Sequence, residues 1–434
     1  MAHCPAIAEP RLLHMPPRQK TRAHARTFFS EKTRLMLIPF EIRDVRNWDD
    51  PDDDVLIQQL PDATDNDAKL DDFWKAAADK NIAWIVAHRD DDSDDSDKPM
   101  MPQLEIKFPG APDGVQVKWK FKCTYDRGNG LQKSYNQSRD TIIIDKTGSP
   151  MPANQPWKLH QEQEWQSDFF GGKCVLTYQL VNSDAAPLTA ETTVRFEIAG
   201  KNPDQDRAKN FFATKVQEIN PALWFSYSVA KQESQGYAGS DHYYYNQFFA
   251  RYRPMRKNQS GNLVPYAGSD WIGFWPGFPT YNKDDDGPGG YGIFQITQDN
   301  VNRKVIWNWQ DNSTAGVQEL NQWRSEAETW YAALVNTWGE PPANWVPPVP
   351  SGEPAVSSNK GLSSTDAENI VRYNGPKGMG DGRDVVLTMP GGKKRKFKAS
   401  VWTHDKDGWH FHDNVNHYVY RVVEHIDPDS SSNK

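Results

Sequence analysis

The residue best placed to do acid–base chemistry is Glu233, in the run Ala230-Lys231-Gln232-Glu233-Ser234. Upstream, Asn220-Pro221 offers a helix start, a capping side chain followed by a proline whose missing N–H costs nothing in the first turn. Gly236 and Gly239 offer the stop. Between them Ala222, Phe225, Val229 and Glu233 recur at spacings of three, four and four, so they share one helix face. Three of these are apolar, and Glu233 therefore extends a buried stripe near the C-terminal end of the helix. Burial disfavours a carboxylate charge, and the negative end of the helix dipole disfavours it further. Both push the expected pKa up, as a general acid that keeps its proton near neutral pH requires. The same placement also suits a structural glutamate bonded to a nearby arginine or backbone group. The helix alone does not separate the two.

Two later segments bear on that choice. One is Gly290-Tyr291-Gly292-Ile293-Phe294-Gln295-Ile296, where Gly292 offers a backbone without Cβ for close approach and Gln295 can both donate and accept hydrogen bonds. The other is Ile370-Val371-Arg372-Tyr373-Asn374-Gly375, closing a short helix that Thr365-Asp366-Ala367-Glu368 opens in the manner of a capping box. Asn374-Gly375 suits the left-handed end of that helix, which would fix Tyr373 with its hydroxyl able to reach the acid or a ligand. The plain alternatives are a packed aromatic and a helix stop.

In this order (Gln232-Glu233-Ser234, then glycine-aliphatic-x-glutamine, then Tyr373-Asn374-Gly375, then a closing helix with Tyr418-Val419 and Val422-Val423) the C-terminal half resembles the superfamily of soluble lytic transglycosylases and goose-type lysozymes. That resemblance implies a lysozyme-like fold cutting the β-1,4 bond between N-acetylmuramic acid and N-acetylglucosamine. Glu233 would act as general acid/base, and Ser234, Tyr291, Gly292, Gln295, Tyr373 and Asn374 would line the glycan. A transglycosylase needs one acid/base, because the 6-hydroxyl of the substrate displaces the bond. An inverting muramidase needs a second carboxylate across a gap that admits water. Asp286 stands six residues before Gly292, as an aspartate does in the goose-type pattern, whereas a second expected aspartate is replaced by Thr297. Asp286 equally suits a solvated loop. The transglycosylase is the leading expectation; the alternatives are hydrolysis with Asp286 positioning water, and a non-catalytic glycan-binding component of a phage tail or secretion apparatus.

The elements that must position these groups change character along the chain. Residues 1–35 form a basic arm, and 36–98 an acidic segment with linker in which Leu70 to Val86 reads as a short helix. Residues 99–200 read as several short strands: Val115, Val117, Trp119, Phe121 and Cys123 alternate with polar residues, and similar runs cover Thr141–Ile144, Cys174–Leu180 and Thr192–Ile198. The pattern is similar to an immunoglobulin-like sandwich whose default role is a spacer or docking module. Cys123 and Cys174 share the inward parity, which suits an inter-sheet disulfide or two buried thiols equally. Residues 201–434 read mainly as helix, with insertions that include a hairpin over Val385–Met389 and Lys396–Trp402. The expected fold class is thus multidomain α+β, a β-sandwich module followed by a mainly α, lysozyme-like domain.

With 434 residues at about 150 per domain, roughly three domains are expected. A net charge of −8 argues against nucleic acid as the main partner, since neutralising phosphates takes clustered cations. No run approaches the roughly 20 apolar residues of a membrane span. Asn282-x-Asp284-x-Asp286-Gly287 begins like a calcium loop, but its twelfth position would be Ile293, so no metal is expected, and no cofactor. No secretory signal pattern is visible. The expectation is synthesis in the cytoplasm and action on the cell wall after delivery or lysis, the N-terminal modules meeting a phage-tail or secretion-apparatus partner.

Overall fold

The computed structural model describes residues 38–45, 55–56, 82–87, 99–126, 141–161, 165, 169–200, 205–234, 255–257, 263–265, 292–294, 296, 302–375, 384–397, 401–413 and 417–426. The N-terminal half is built from sheets and the C-terminal half mostly from helices, an α+β chain. Ten strands make two sheets: β1 (Glu41–Asp44), β2 (Val55–Leu56), β3 (Ile82–Ala87), β4 (Pro99–Met100), β5 (Leu104–Lys107), β6 (Gln116–Asp126), β7 (Thr141–Pro152), β8 (Trp157–Lys158), β9 (Gly172–Val181) and β10 (Thr192–Gly200). One sheet runs β2-β1-β5-β8 and the other β4-β3-β10-β9-β6-β7. Neighbours are antiparallel except β3 and β10, which are parallel.

Period-2 patterning sets the register. Along β6, Val117, Trp119, Phe121 and Cys123 are all buried, as the alternation requires. Trp119 stacks on Trp157, with ring centroids 3.9 Å apart, joining the two sheets. The acidic segment contributes more than a linker, because β1, β2 and β3 belong to these sheets and β3 pairs with β4 across the expected boundary at residue 98. The helix expected over Leu70–Val86 gives way at its end to strand β3, in which Ala83 and Ile85 are buried. Its earlier part lies outside the described residues. Cys123 and Cys174 are directly opposed on the neighbouring strands β6 and β9 of one sheet, so the inter-sheet bridge is overturned. Shared parity placed them on one face, which two adjacent strands supply as well as two facing sheets. The Cys123 thiol donates to Gly171 O at 3.4 Å, and that of Cys174 to Gly172 O at 3.7 Å.

The helices are α1 (Gln205–Ile219), α2 (Ser226–Ser234), α3 (Arg303–Trp307), α4 (Trp309–Trp338), α5 (Ser364–Asn374) and α6 (Tyr418–His425). Short strand pairs accompany them: β11 (Met255–Lys257) with β12 (Leu263–Pro265), β13 (Val385–Thr388) with β14 (Lys394–Phe397), and β15 (Trp402–Asp405) with β16 (Gly408–Phe411). No described helix is long and apolar enough to cross a membrane. At 30 residues α4 spans about 45 Å and is the axis on which α1, α3 and α5 pack. The second strand of the hairpin begins at Lys394, two residues earlier than the expected Lys396. Asn336 and Thr337 on α4 hold the end of β13 through Thr388 O (3.0 Å) and Thr388 N (2.8 Å).

The capping box of α5 is also shifted. Ser363 caps the helix and Asp366 reciprocates, Asp366 N donating to Ser363 Oγ (3.1 Å) and Ser363 N to Asp366 Oδ2 (2.7 Å). Glu368, expected to close the box, is instead fully buried. It pairs with Arg372 at 2.8 Å and accepts from Val401 N at 3.0 Å, while Arg372 also reaches Glu326 on α4 at 2.9 Å. Burial raises the Glu368 carboxyl to about 7, against the opposing pull of Arg372 and the Val401 N–H. A raised acid contributes stability that is complete below its unfolded value near 4.5 and is lost as pH climbs through 7. His425 works on the other limb: burial, then the charges of Lys231, Lys360 and Arg421, lower it to about 3, so its contribution fades as pH falls below 6.5. Glu368→Gln is expected to flatten the decline of the unfolding midpoint between pH 5 and 8, an effect of up to about 3 kcal/mol. Thermal melts across that range check it. A decline of unchanged steepness would show that Glu368 is ionised throughout.

Candidate active site

The local fold around Glu233 begins with Asn220, whose side chain accepts from Ala222 N at 3.0 Å, and Pro221 at the first position. That turn is 3-10, and the α-helix proper starts at Ser226. Phe225 and Val229 are fully buried and Glu233, on the same face, is 7% exposed. The acid thus lies in the apolar stripe, as the spacing indicates. Ser234 is the last residue of α2.

Opposite it stands Tyr418, the first residue of α6, whose hydroxyl donates to Glu233 Oε1. Tyr418 is held by its helix end. His417 takes a left-handed φ of 50° and offers no side-chain cap. Asp413 caps instead, accepting from Val419 N (3.1 Å) and Tyr420 N (3.0 Å), which places a carboxylate at the positive end of the helix dipole. An acidic cap, one tyrosine and the acid therefore form one chain of contacts between α6 and α2.

The glycine segment forms a buried turn at Gly292–Phe294, with Gly292 at φ +70°. Two helices grip it. From α4, Asn312 Oδ1 accepts from Phe294 N at 3.0 Å, while its Nδ2 donates to Val305 O at 3.0 Å. From α5, Tyr373 donates its hydroxyl proton to Phe294 O at 2.6 Å. The Phe294 ring lies over Gly316, where a Cβ would fall 2.1 Å from the ring, and packs on Phe212 at 5.6 Å. Tyr373 is therefore oriented as expected, but its proton goes to the backbone of the turn. The phenol that donates to the acid is Tyr418. Asn374, at the end of α5, is exposed, and Gly375 takes the positive φ of 95°. Asp286, Tyr291 and Gln295 lie outside the described residues. Among the described residues no cluster of three or more His, Cys, Asp or Glu side chains could hold a metal ion.

Asp413, Asn312 and Gly316 are not among the residues singled out from sequence, and Tyr418 appears there only as part of the closing helix, with no role of its own. A signal existed for two of them. Asn312, Gly316 and Leu320 recur every four residues on one face of α4, and a polar amide and a glycine on a buried face mark a backbone brought close.

The arrangement holds one buried carboxyl group against a phenol, and separately keeps the Gly292–Phe294 turn in register between two helices. Tyr418→Phe removes the orienting hydrogen bond while keeping the ring. Such a bond is worth about 0.5–3 kcal/mol across the two charge states of the acid, so a lower unfolding midpoint is expected. Thermal melts check this, and an unchanged midpoint would show that the contact between Tyr418 and Glu233 contributes nothing to the fold. Compared with family models, with curated proteins and with solved structures, the chain matches none.

Proposed function

We propose that the protein cleaves the glycan strands of peptidoglycan at the β-1,4 bond between N-acetylmuramic acid and N-acetylglucosamine, as a lytic transglycosylase of lysozyme-like, single-acid type. The observation that carries this reading is a buried Glu233, held by the Tyr418 hydroxyl, at the end of the helix face that buries Phe225 and Val229. In this reading Glu233 carries a proton before the reaction. Glu233 gives that proton to the glycosidic oxygen as the C1–O4 bond breaks. The carboxylate then takes the proton of the C6 hydroxyl as that oxygen closes on C1, leaving a 1,6-anhydro end and restoring the acid. The Gly292–Phe294 turn is buried and Asn312 fills the space beside Gly292, so the close approach expected there is made by Asn312 and not by a ligand; Gln295, Tyr291, Ser234 and Asn374 are the residues assigned contacts to the sugars. The two-sheet unit, immunoglobulin-like in this reading, is the part that would meet a phage-tail or secretion-apparatus partner, delivering the enzyme to the wall.

Digestion of purified sacculi followed by mass spectrometry of the soluble products tests this. Anhydro ends are expected. Reducing ends would replace the transglycosylase with an inverting muramidase and give Asp286 the water. Binding to sacculi with no soluble product would leave only a glycan-binding component.

A further inference from the structure

We propose that the two-sheet unit is a positioning element for the candidate active site, acting through Trp307, rather than a detachable spacer. The contact lies at Gly171, immediately before β9. A Cβ built there would fall 2.5 Å from Trp307 Cε3 and 2.6 Å from Ile198 O on β10. The indole therefore rests on sheet backbone at a position where only the absence of a side chain leaves room, and the Ile198 carbonyl, being backbone within a ladder, cannot yield. Trp307 is 1% exposed, so the contact is sealed.

Trp307 ends α3, a helix of five residues. A helix so short has no stability of its own, and its orientation is set by what it packs on. Asparagines close both its ends: Asn302 accepts from Val305 N at 2.9 Å, and Asn308 N donates to Lys304 O at 2.8 Å. It consequently moves as one piece. Its Val305 carbonyl accepts from Asn312 Nδ2, and the other end of that amide accepts from Phe294 N, each at 3.0 Å. A planar amide cannot shift one end without the other, so the sheet, Trp307, α3, Asn312 and the turn form a contiguous path. Only the kinetic part of the consequence rests on the proposed glycan cleavage; the mechanical part stands on these contacts.

The test uses the full chain with Gly171→Ala, Trp307→Phe as a milder variant that shortens the ring, and Gly110→Ala as the control. Nothing lies within 4 Å of a Cβ on Gly110, and its φ of 79° means that the control carries backbone strain that Gly171 does not. Gly171→Ala is expected to speed amide hydrogen exchange at Phe294 by about tenfold and Trp307→Phe in the same direction by less, with Gly110→Ala leaving it unchanged. On sacculi, kcat is expected to fall about 10–100-fold with KM within about twofold, the pattern of misplacement. Should Gly171→Ala fail to fold, Trp307→Phe carries the measurement alone. Faster exchange in α3 with Phe294 unaltered would overturn the inference, as would equal responses to Gly171→Ala and Gly110→Ala. If the unmodified protein releases no fragments while Phe294 still responds, the coupling is upheld and the cleavage reading alone falls.

Discussion

Glu233→Gln is expected to lower release of soluble fragments from sacculi by about 10²–10⁴-fold, the range that positioned acid–base catalysis contributes. The substitution is close to isosteric. The amide oxygen can still accept from Tyr418, so the contact between α2 and α6 should survive, and a buried site loses a group that prefers water to an apolar helix face. Thermal stability is accordingly expected to hold or rise while turnover collapses. Sacculus binding measured by co-sedimentation should be retained, because the residues assigned to the glycan, Gln295, Tyr291, Ser234 and Asn374, are intact. Glu233→Asp makes the complementary point. Its carboxyl is one methylene short, so it keeps the acid chemistry but draws back from both the Tyr418 hydroxyl and the glycosidic oxygen. An intermediate rate is expected. Undiminished release by Glu233→Gln would remove the acid from the mechanism altogether, whatever the fold.

Much of this site could be read from the sequence because local rules wrote it. The Asn220-Pro221 start, the spacing of Phe225, Val229 and Glu233, and the positive φ at Gly375 all depend on residues within a few positions of one another. What escaped depends on partners far away. The spacing within α2 gives no indication that Tyr418, 185 residues on, supplies the phenol, and Tyr373 reads equally well as a contact for the acid or for the turn. Asp366 displaced Glu368 from the capping box for a similar reason: Glu368 faces Arg372 and Val401 in the interior, a demand that only the packed fold imposes. In the N-terminal half the alternation on β6, β9 and β10 fixed each strand's inner face but left open which strands are neighbours. Cys123 and Cys174 could therefore be placed on one face and not on adjacent strands. The parallel pairing of β3 with β10 is longer-range still, and the acidic runs that surround β3 conceal it.

Gly292→Ala is expected to be the most damaging change outside Glu233. Two costs coincide there. An L-residue at φ +70° costs ~1–2 kcal/mol. The new Cβ would also fall 2.2 Å from Asn312 Nδ2, so the amide must swing away and surrender its bonds to Phe294 N and Val305 O, each worth about 1 kcal/mol. Together these amount to roughly 3–4 kcal/mol, seen as a lower unfolding midpoint for the helical half. The loss of activity should exceed what that destabilisation explains. At a temperature where the variant is still folded, the turn sits displaced relative to Glu233, and a shift of about 1 Å is enough for a fall near 10²-fold. Gly391→Ala separates strain from displacement, since Gly391 has φ +97° in the β13–β14 turn with nothing within 4 Å of its Cβ. It should lower stability slightly and leave fragment release unchanged. Equal activity in the two variants, both measured folded, would mean that the grip of Asn312 and Tyr373 on the turn maintains the fold and does not tune the chemistry.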